Sequence, residues 1–370
     1  QVFFVLSNLN VSTTQGLKSC RGLRVMIVSK KMSNLTHNLL NWYSKNKRQF
    51  PWRVKKNIEN PYYVWISEIM LQQTNANTVI NYYKKFIKNW PTIYSLSKAK
   101  LDSVLFQWQG LGYYNRAVNL HKTAKIISKK FNGKIPKNYE TLIQLPGIGE
   151  YTANAILAIA YNKNTIGVDV NINRVISRLY NLNSDNNKSE ISKKIYTLLP
   201  INKCSNFMQA LMDLGSEICK KKSVNCLICP IKKYCHFYNE KKEINFDALK
   251  DKKRKFLFVY LIKYKNQIIL KKRKKTKFLH GLMEIPNNLL NNKPSLKVAK
   301  QNAPLNLDWK TLPGKLNSKI SNFELEIRFF QAQVEKKITL KNTVWVKKNE
   351  IQKIPISSLM RNILYYLNPT

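Results

Sequence analysis

Four cysteines, Cys219, Cys226, Cys229 and Cys235, fall at the spacing C-x6-C-x2-C-x5-C. Thiolates gathered in so short a loop have the donor set of a structural metal. Zinc and an iron-sulfur cube both accept four Cys ligands, so the spacing by itself leaves the metal open. A disulfide framework fits less well, because Cys20 and Cys204 have no matching spacing and nothing resembles a secretory leader. Two carboxylates stand out beside this loop. Glu68 lies at the edge of a helical apolar stripe, and Asp169 opens the segment Val168-Asp169-Val170-Asn171 ahead of Arg174. Taken singly, Glu68 reads as a solvated helix residue and Asp169 as an N-cap. As a pair they have the composition that glycosidic cleavage uses: one carboxyl to protonate the leaving group, another to stabilise or trap the sugar cation.

The elements that must carry these groups follow from hydrophobic periodicity. Tyr62, Trp65, Ile66, Ile69 and Met70, then Ile156, Leu157 and Ala160, then Ile172, Val175, Ile176 and Leu179 recur with helical spacing. An all-α unit over 33–238 is expected, closed by the cysteine loop. Leu145-Pro146-Gly147-Ile148-Gly149 separates a helix predicted over Tyr139–Gln144 from one over Tyr151–Tyr161. Gly147 and Gly149 permit positive φ and close approach, so amides at the following helix N-terminus can meet a phosphate, as in a helix-hairpin-helix; a ligand-free tight turn is the alternative. Residues 239–254 are polar and charged, as linkers are. Beyond them a small α+β unit over 255–370 is predicted: a strand Phe256–Ile262, a turn at Lys265–Gln267, strands at Ile268–Leu270, Leu325–Val334 and Thr343–Val346, and a helix over Ser357–Leu367.

The formal net charge is +44 over 370 residues, which calls for a polyanionic partner, nucleic acid ahead of an acidic membrane. Of the basic residues 53 are Lys and 11 are Arg, and with abundant Asn and Ile this bias accounts for part of the charge as background composition. No apolar run is long enough to span a bilayer, and a cytoplasmic monomer is expected. Residues 1–32 are an unassigned N-terminal extension, with Met26 or Met32 as the expected start.

The motifs combine into a resemblance. Pro51-Trp52-Arg53, Pro61 to Thr74 (PYYVWISEIMLQQT), Gly110 to Ala117 (GLGYYNRA), the hairpin, Asp169 and the cysteine loop together are similar to the MutY-type adenine DNA glycosylases, nearly continuously from Leu39 to Cys235 and collinearly to the end. The resemblance implies a mainly α helix-hairpin-helix glycosylase domain with a [4Fe-4S] loop and a smaller α+β Nudix-like C-terminal domain. It also implies removal of adenine opposite 8-oxoguanine or guanine in double-stranded DNA. By position Glu68 would protonate adenine N7, Asp169 would stabilise the sugar cation, and Asn171 and Tyr151 would support it. Tyr151 replaces the lysine that endonuclease-III-type relatives use as nucleophile, which implies a monofunctional enzyme. Gln73 and Leu111 would wedge into the base stack, with Tyr113 and Thr74 beside the lesion, and Arg53 and Gln209 would line the adenine pocket. Ser321 and Asn322 would read 8-oxoguanine.

Departures keep two rivals in view, an endonuclease-III-type pyrimidine glycosylase/lyase and a catalytically decayed iron-sulfur DNA-binding protein. Val170 stands where a glycine is usual, three extra residues separate Arg53 from Pro61, Phe278 to Leu282 replaces a tryptophan and paired glycines, and Asn322 replaces a histidine. No R-E-x-x-E-E string follows Gly281, so the Nudix-like part is expected to recognise and not to hydrolyse.

Overall fold

The computed structural model describes residues 33–182, 188–241, 253–273, 281–320 and 323–367. Ser321, Asn322, Cys20, most of the linker and Phe278 to His280 lie outside the described residues.

From Asn34 to Asn239 the described chain is helical, with no strand longer than an isolated bridge. Its apolar side chains form two cores. The first gathers Trp65, Ile66, Ile69, Phe86, Trp108 and Ile156; the second gathers Leu39, Val64, Ile172, Ile176, Phe207 and Leu211. The helix Pro61–Leu71 contributes to both and is therefore buried nearly all round, as a helix apolar on every side must be. Asn60 accepts a hydrogen bond from Tyr62 N at its start, and Pro61 occupies the first turn, where its missing N–H costs nothing. The predicted hairpin is present as helices Tyr139–Ile143 and Glu150–Ile159. Between them Ile148 N donates to Leu145 O (3.1 Å), with Pro146 and then Gly147 at the turn centre. Gly147 has φ +79°, and a Cβ there would come within 2.8 Å of Asn119 Cβ, so glycine is required twice over.

The second part is a mixed eight-stranded sheet: β1 (Lys253–Tyr264), β2 (Gln267–Lys272), β3 (Met283–Glu284), β4 (Asn287–Leu290), β5 (Lys310–Thr311), β6 (Leu316–Ile320), β7 (Phe323–Gln333) and β8 (Thr343–Lys347). β1 is central and runs parallel to β7 over eleven pairs, Lys253↔Phe323 to Lys263↔Gln333. Its run of six buried residues divides by alternation: Leu257, Val259 and Leu261 enter a core covered by the helix Ser358–Leu367, while Phe258, Tyr260 and Ile262 pack with Trp309 on the other face. The strand starts at Lys253, inside the stretch expected to be linker, because Lys253 and Arg254 already pair with Phe323 and Glu324. β3 to β6 escaped the sequence reading; three of these have only two to four residues, too few for alternation to register.

The sheet docks on the helical part. Leu282 is 1% exposed and belongs to the first helical core, and Gln109 Nε2 donates to Ile354 O (2.8 Å). Among the described residues no helix is long and apolar enough to cross a membrane.

Candidate active site

A cleft of about 1090 Å³ opens between the two helical cores. It brings together Arg53, Glu68, Gln73, Thr74, Tyr151, Asp169, Asn171 and Gln209, eight of the residues singled out by sequence.

Glu68 is 5% exposed and far from the solvated helix residue its isolated context suggested. The turn of the Pro61–Leu71 helix that buries Trp65 and Ile69 carries Glu68 to the cleft wall, where Tyr151 Oη donates to Glu68 Oε2 at 2.7 Å. Burial raises the Glu68 carboxyl to about 7, opposed by the Tyr151 hydrogen bond, assisted by the Asp169 charge and opposed by Arg53. Such a carboxyl is an acid ready to give a proton at neutral pH. Tyr151 is held protonated, its phenol pushed well above the usual range by burial first and by the Glu68 and Asp169 charges next.

Asp169 is the N-cap of the helix Val170–Tyr180. Oδ1 accepts from Asn171 N (3.0 Å) and Ile172 N (2.7 Å), and Oδ2 accepts from Asn171 Nδ2 (2.9 Å). The two readings of Asp169 coincide: the capping bonds that start the helix also aim the carboxylate along the cleft, where the helix dipole favours negative charge. Val170 is 76% exposed in ordinary helical backbone and is not among the positive-φ residues, so the position does not need glycine's freedom. Asn171 is itself fixed. Its Oδ1 accepts from Arg174 Nη2 (2.8 Å), and Arg174 also donates to Gly215 O (2.7 Å) and Cys219 O (2.9 Å). A continuous hydrogen-bonded chain thus joins the first cysteine of the loop to Asp169. Gly215 permits it, since a Cβ there would lie 2.7 Å from Asn171 Cβ.

Three assignments change character. Arg53 lines the cleft, but its guanidinium forks onto Asp213 (2.6 and 3.0 Å), which also receives Arg48 Nε (2.7 Å). Asp213 is fully buried, and this Arg48–Asp213–Arg53 cluster was not foreseen; Asp213 lies 160 or more residues from either arginine, so no local pattern announces it. Gln209 is 2% exposed and spends its amide N–H groups on Ser205 O (3.1 Å) and Ser205 Oγ (3.2 Å). Leu111 does not project as a wedge. It is 4% exposed and packs in the first core, because the turn that pairs Leu111 N with Trp108 O rolls it inward. Gln73 and Tyr113, by contrast, are exposed, and both take left-handed backbone, φ 55° and 45°.

The cysteine loop is held by Arg178, whose Nη1 donates to Cys219 Sγ (3.3 Å) and Lys220 O (2.8 Å). Cys219, Cys229 and Cys235 pack against the second core. Burial, with the neighbouring thiols adding to it and a backbone hydrogen bond at Ile231 opposing it, pushes the Cys229 thiol up to about 12. Among the described residues no three His, Cys, Asp or Glu side chains are drawn closely enough to hold a metal ion. The donor chemistry, four thiols on one clamped loop, is a set that zinc and an iron-sulfur cube both accept.

Residues 66–200 match the HhH-GPD superfamily base excision DNA repair protein family, and residues 257–366 match the NUDIX domain. The chain is 39% identical over 337 residues to an adenine DNA glycosylase of Buchnera aphidicola subsp. Baizongia pistaciae (strain Bp), spanning 88% of this chain and 94% of that one. It is 43% identical over 242 residues to the adenine DNA glycosylase of Buchnera aphidicola subsp. Acyrthosiphon pisum (strain APS), 63% and 68% of the two chains. A solved thermostable thymine-DNA glycosylase superposes with a TM-score of 0.52 at 30% identity, covering 55% of this chain and 95% of its own.

Proposed function

Since the chain belongs to the adenine DNA glycosylase family, we propose that it hydrolyses the N-glycosidic bond of adenine opposite 8-oxoguanine or guanine in double-stranded DNA, with Glu68 and Asp169 as its two carboxyls. The observation that carries this reading is a buried carboxyl poised near pH 7 across one cleft from a helix-capping carboxylate. Protonated Glu68 gives its proton to adenine N7, the C1′–N9 bond breaks with its electron pair leaving on the base, and the positive sugar faces the Asp169 carboxylate until water adds to C1′ and loses a proton. Tyr151 orients Glu68, and Asn171 orients Asp169. No lysine is among the described residues lining the cleft, which favours base release without strand scission over the lyase alternative.

DNA is bound, in this reading, through the net charge of +44 and the amides of the Gly147–Gly149 turn, with Gln73 and Tyr113 entering the base stack and Thr74 beside them. Arg53 and Gln209 line the pocket that takes the extruded adenine. The helical part, 33–238, performs the chemistry, and the Nudix-like part, 255–370, contributes lesion recognition through Ser321 and Asn322. The protein acts as a monomer. Cys219, Cys226, Cys229 and Cys235 would hold a [4Fe-4S] cluster that clasps the loop and, through Arg174 and Asn171, steadies Asp169. Protein purified without oxygen is then expected to be brown, with about four irons per chain; stoichiometric zinc with no visible absorbance contradicts this.

The functional test compares base release from duplexes carrying adenine opposite 8-oxoguanine, adenine opposite guanine, and thymine glycol. Release of adenine from the first two, with unbroken strands until alkali is added, is expected. Release of thymine glycol with strand cleavage supports the endonuclease-III-type reading, and binding without any release supports the decayed one.

A further inference from the structure

Arg116 lies on no wall of the main cleft, yet its guanidinium joins the two segments that flank it. Nη1 donates to Ile69 O and Met70 O (both 2.9 Å) and to Gln72 O, at the end of the helix that carries Glu68. Nη2 donates to Thr74 Oγ1 (3.2 Å), next to Gln73, and to Leu111 O (3.0 Å) and Gly112 O (3.2 Å), in the loop that carries Tyr113. The same group lies over the Trp108 ring at 5.4 Å and the Tyr113 ring at 5.6 Å. Carbonyls at a helix C-terminus lack partners of their own, and a planar fork with five donors can serve two sets of them at once, which an ammonium cannot. The two joined segments also contain the left-handed Gln73 and Tyr113. Side-chain-bearing residues hold that conformation only where their surroundings over-determine it.

We infer that Arg116 is a positioning residue for adenine extrusion: it fixes the exposed Gln73 and Tyr113 at a set separation from each other and from the helix bearing Glu68. The inference rests on the proposed glycosylase reading and deepens it, because it assigns Arg116 to the step before bond cleavage. Arg116 stays charged at neutral pH, its guanidinium lowered only to about 10 by burial, so the clamp operates at the pH of the reaction.

The test uses the full chain and the variant Arg116→Lys, which keeps the charge but not the fork. Extrusion is followed by the fluorescence of 2-aminopurine placed next to adenine opposite 8-oxoguanine. Cleavage is followed under single turnover on that duplex and on one whose adenine faces an abasic position, where no pair has to be broken. Arg116→Lys is expected to slow extrusion and release from the paired duplex roughly tenfold or more, as the loss of several charge-assisted hydrogen bonds would, while release of the unpaired adenine stays within about threefold. Equal losses on both duplexes, or no loss on either, overturn the inference. If Arg116→Lys does not fold, Gly112→Ala replaces it. A Cβ at Gly112 meets nothing within 4 Å, but φ is +72°, so this variant strains the Tyr113 loop without disturbing packing. It should reproduce the selective loss, and sparing of extrusion overturns the inference equally. A wild-type chain that extrudes adenine but never releases it refutes the glycosylase reading, while the extrusion measurement still judges Arg116.

Discussion

In the variant Glu68→Gln, single-turnover release of adenine is expected to fall by roughly 10²- to 10⁴-fold, the range of a lost general acid, while duplex affinity changes little. The introduced amide oxygen can still accept the Tyr151 hydrogen bond that Glu68 Oε2 now accepts, so the wall of the cleft is preserved and only the transferable proton is gone. The pH dependence follows from the same burial. The carboxyl is raised to about 7, so the wild-type rate should be level below that value and fall about tenfold per pH unit above it, and Glu68→Gln should lack this limb. Stability should fall with rising pH as well, over a lower range. The fold binds the Glu68 proton more tightly than the unfolded chain does, so the folded state is favoured below about 4.5 and loses that advantage as pH rises through about 7. At pH 8 the buried carboxylate is a cost on the order of 3 kcal/mol, and Glu68→Gln should melt higher than wild type there but not at pH 4. A rate within a few-fold of wild type, or a melting temperature that is lower at both pH values, removes Glu68 from the role of buried acid.

Asp169→Asn is expected to lower the same rate by roughly 10²- to 10³-fold, the usual loss when a preorganised electrostatic partner of the transition state is removed. The amide oxygen can keep the bonds from Asn171 N and Ile172 N, so the helix should retain its cap. What disappears is the negative charge facing the sugar cation. Because that charge also repels phosphates, binding to DNA should hold or tighten slightly even as cleavage fails. Filter binding and single-turnover release on the same duplex separate the two. Parallel losses in both would make Asp169 a capping residue and nothing more.

Legibility differed from residue to residue. Tyr62, Trp65, Ile66 and Ile69 declared their helix, since 3.6-residue periodicity is local, and the Pro61–Leu71 helix is where they put it. Asp169 declared itself as an N-cap for the same reason. The burial of Glu68 could not be read from the sequence, because in one dimension a glutamate beside an apolar stripe looks solvated; it comes from two cores meeting on a single helix. The wedge expected of Leu111 turned into core packing, a result of how the Trp108–Leu111 turn folds back. The cluster around Asp213 and the clamp of Arg116 left no trace in the spacing, since each joins residues from distant segments or backbone carbonyls that any residue possesses.

The sequence by itself determined the helices, the hairpin, the cysteine loop and the residue types able to do glycosidic chemistry, because capping, turn formation and periodicity depend on neighbours along the chain. It also determined that a sheet would follow, though not that β1 would run parallel to β7 with some sixty residues between them. Only the tertiary structure decided the chemistry each group can perform. A proton affinity near neutrality at Glu68, a carboxylate at Asp169 steadied through Asn171 and Arg174, and the tie that Arg116 makes between the segments of Gln73 and Tyr113 all come from burial and from hydrogen bonds across the fold. Those energies depend on what is brought near in space, and the order of residues along a chain does not specify that locally.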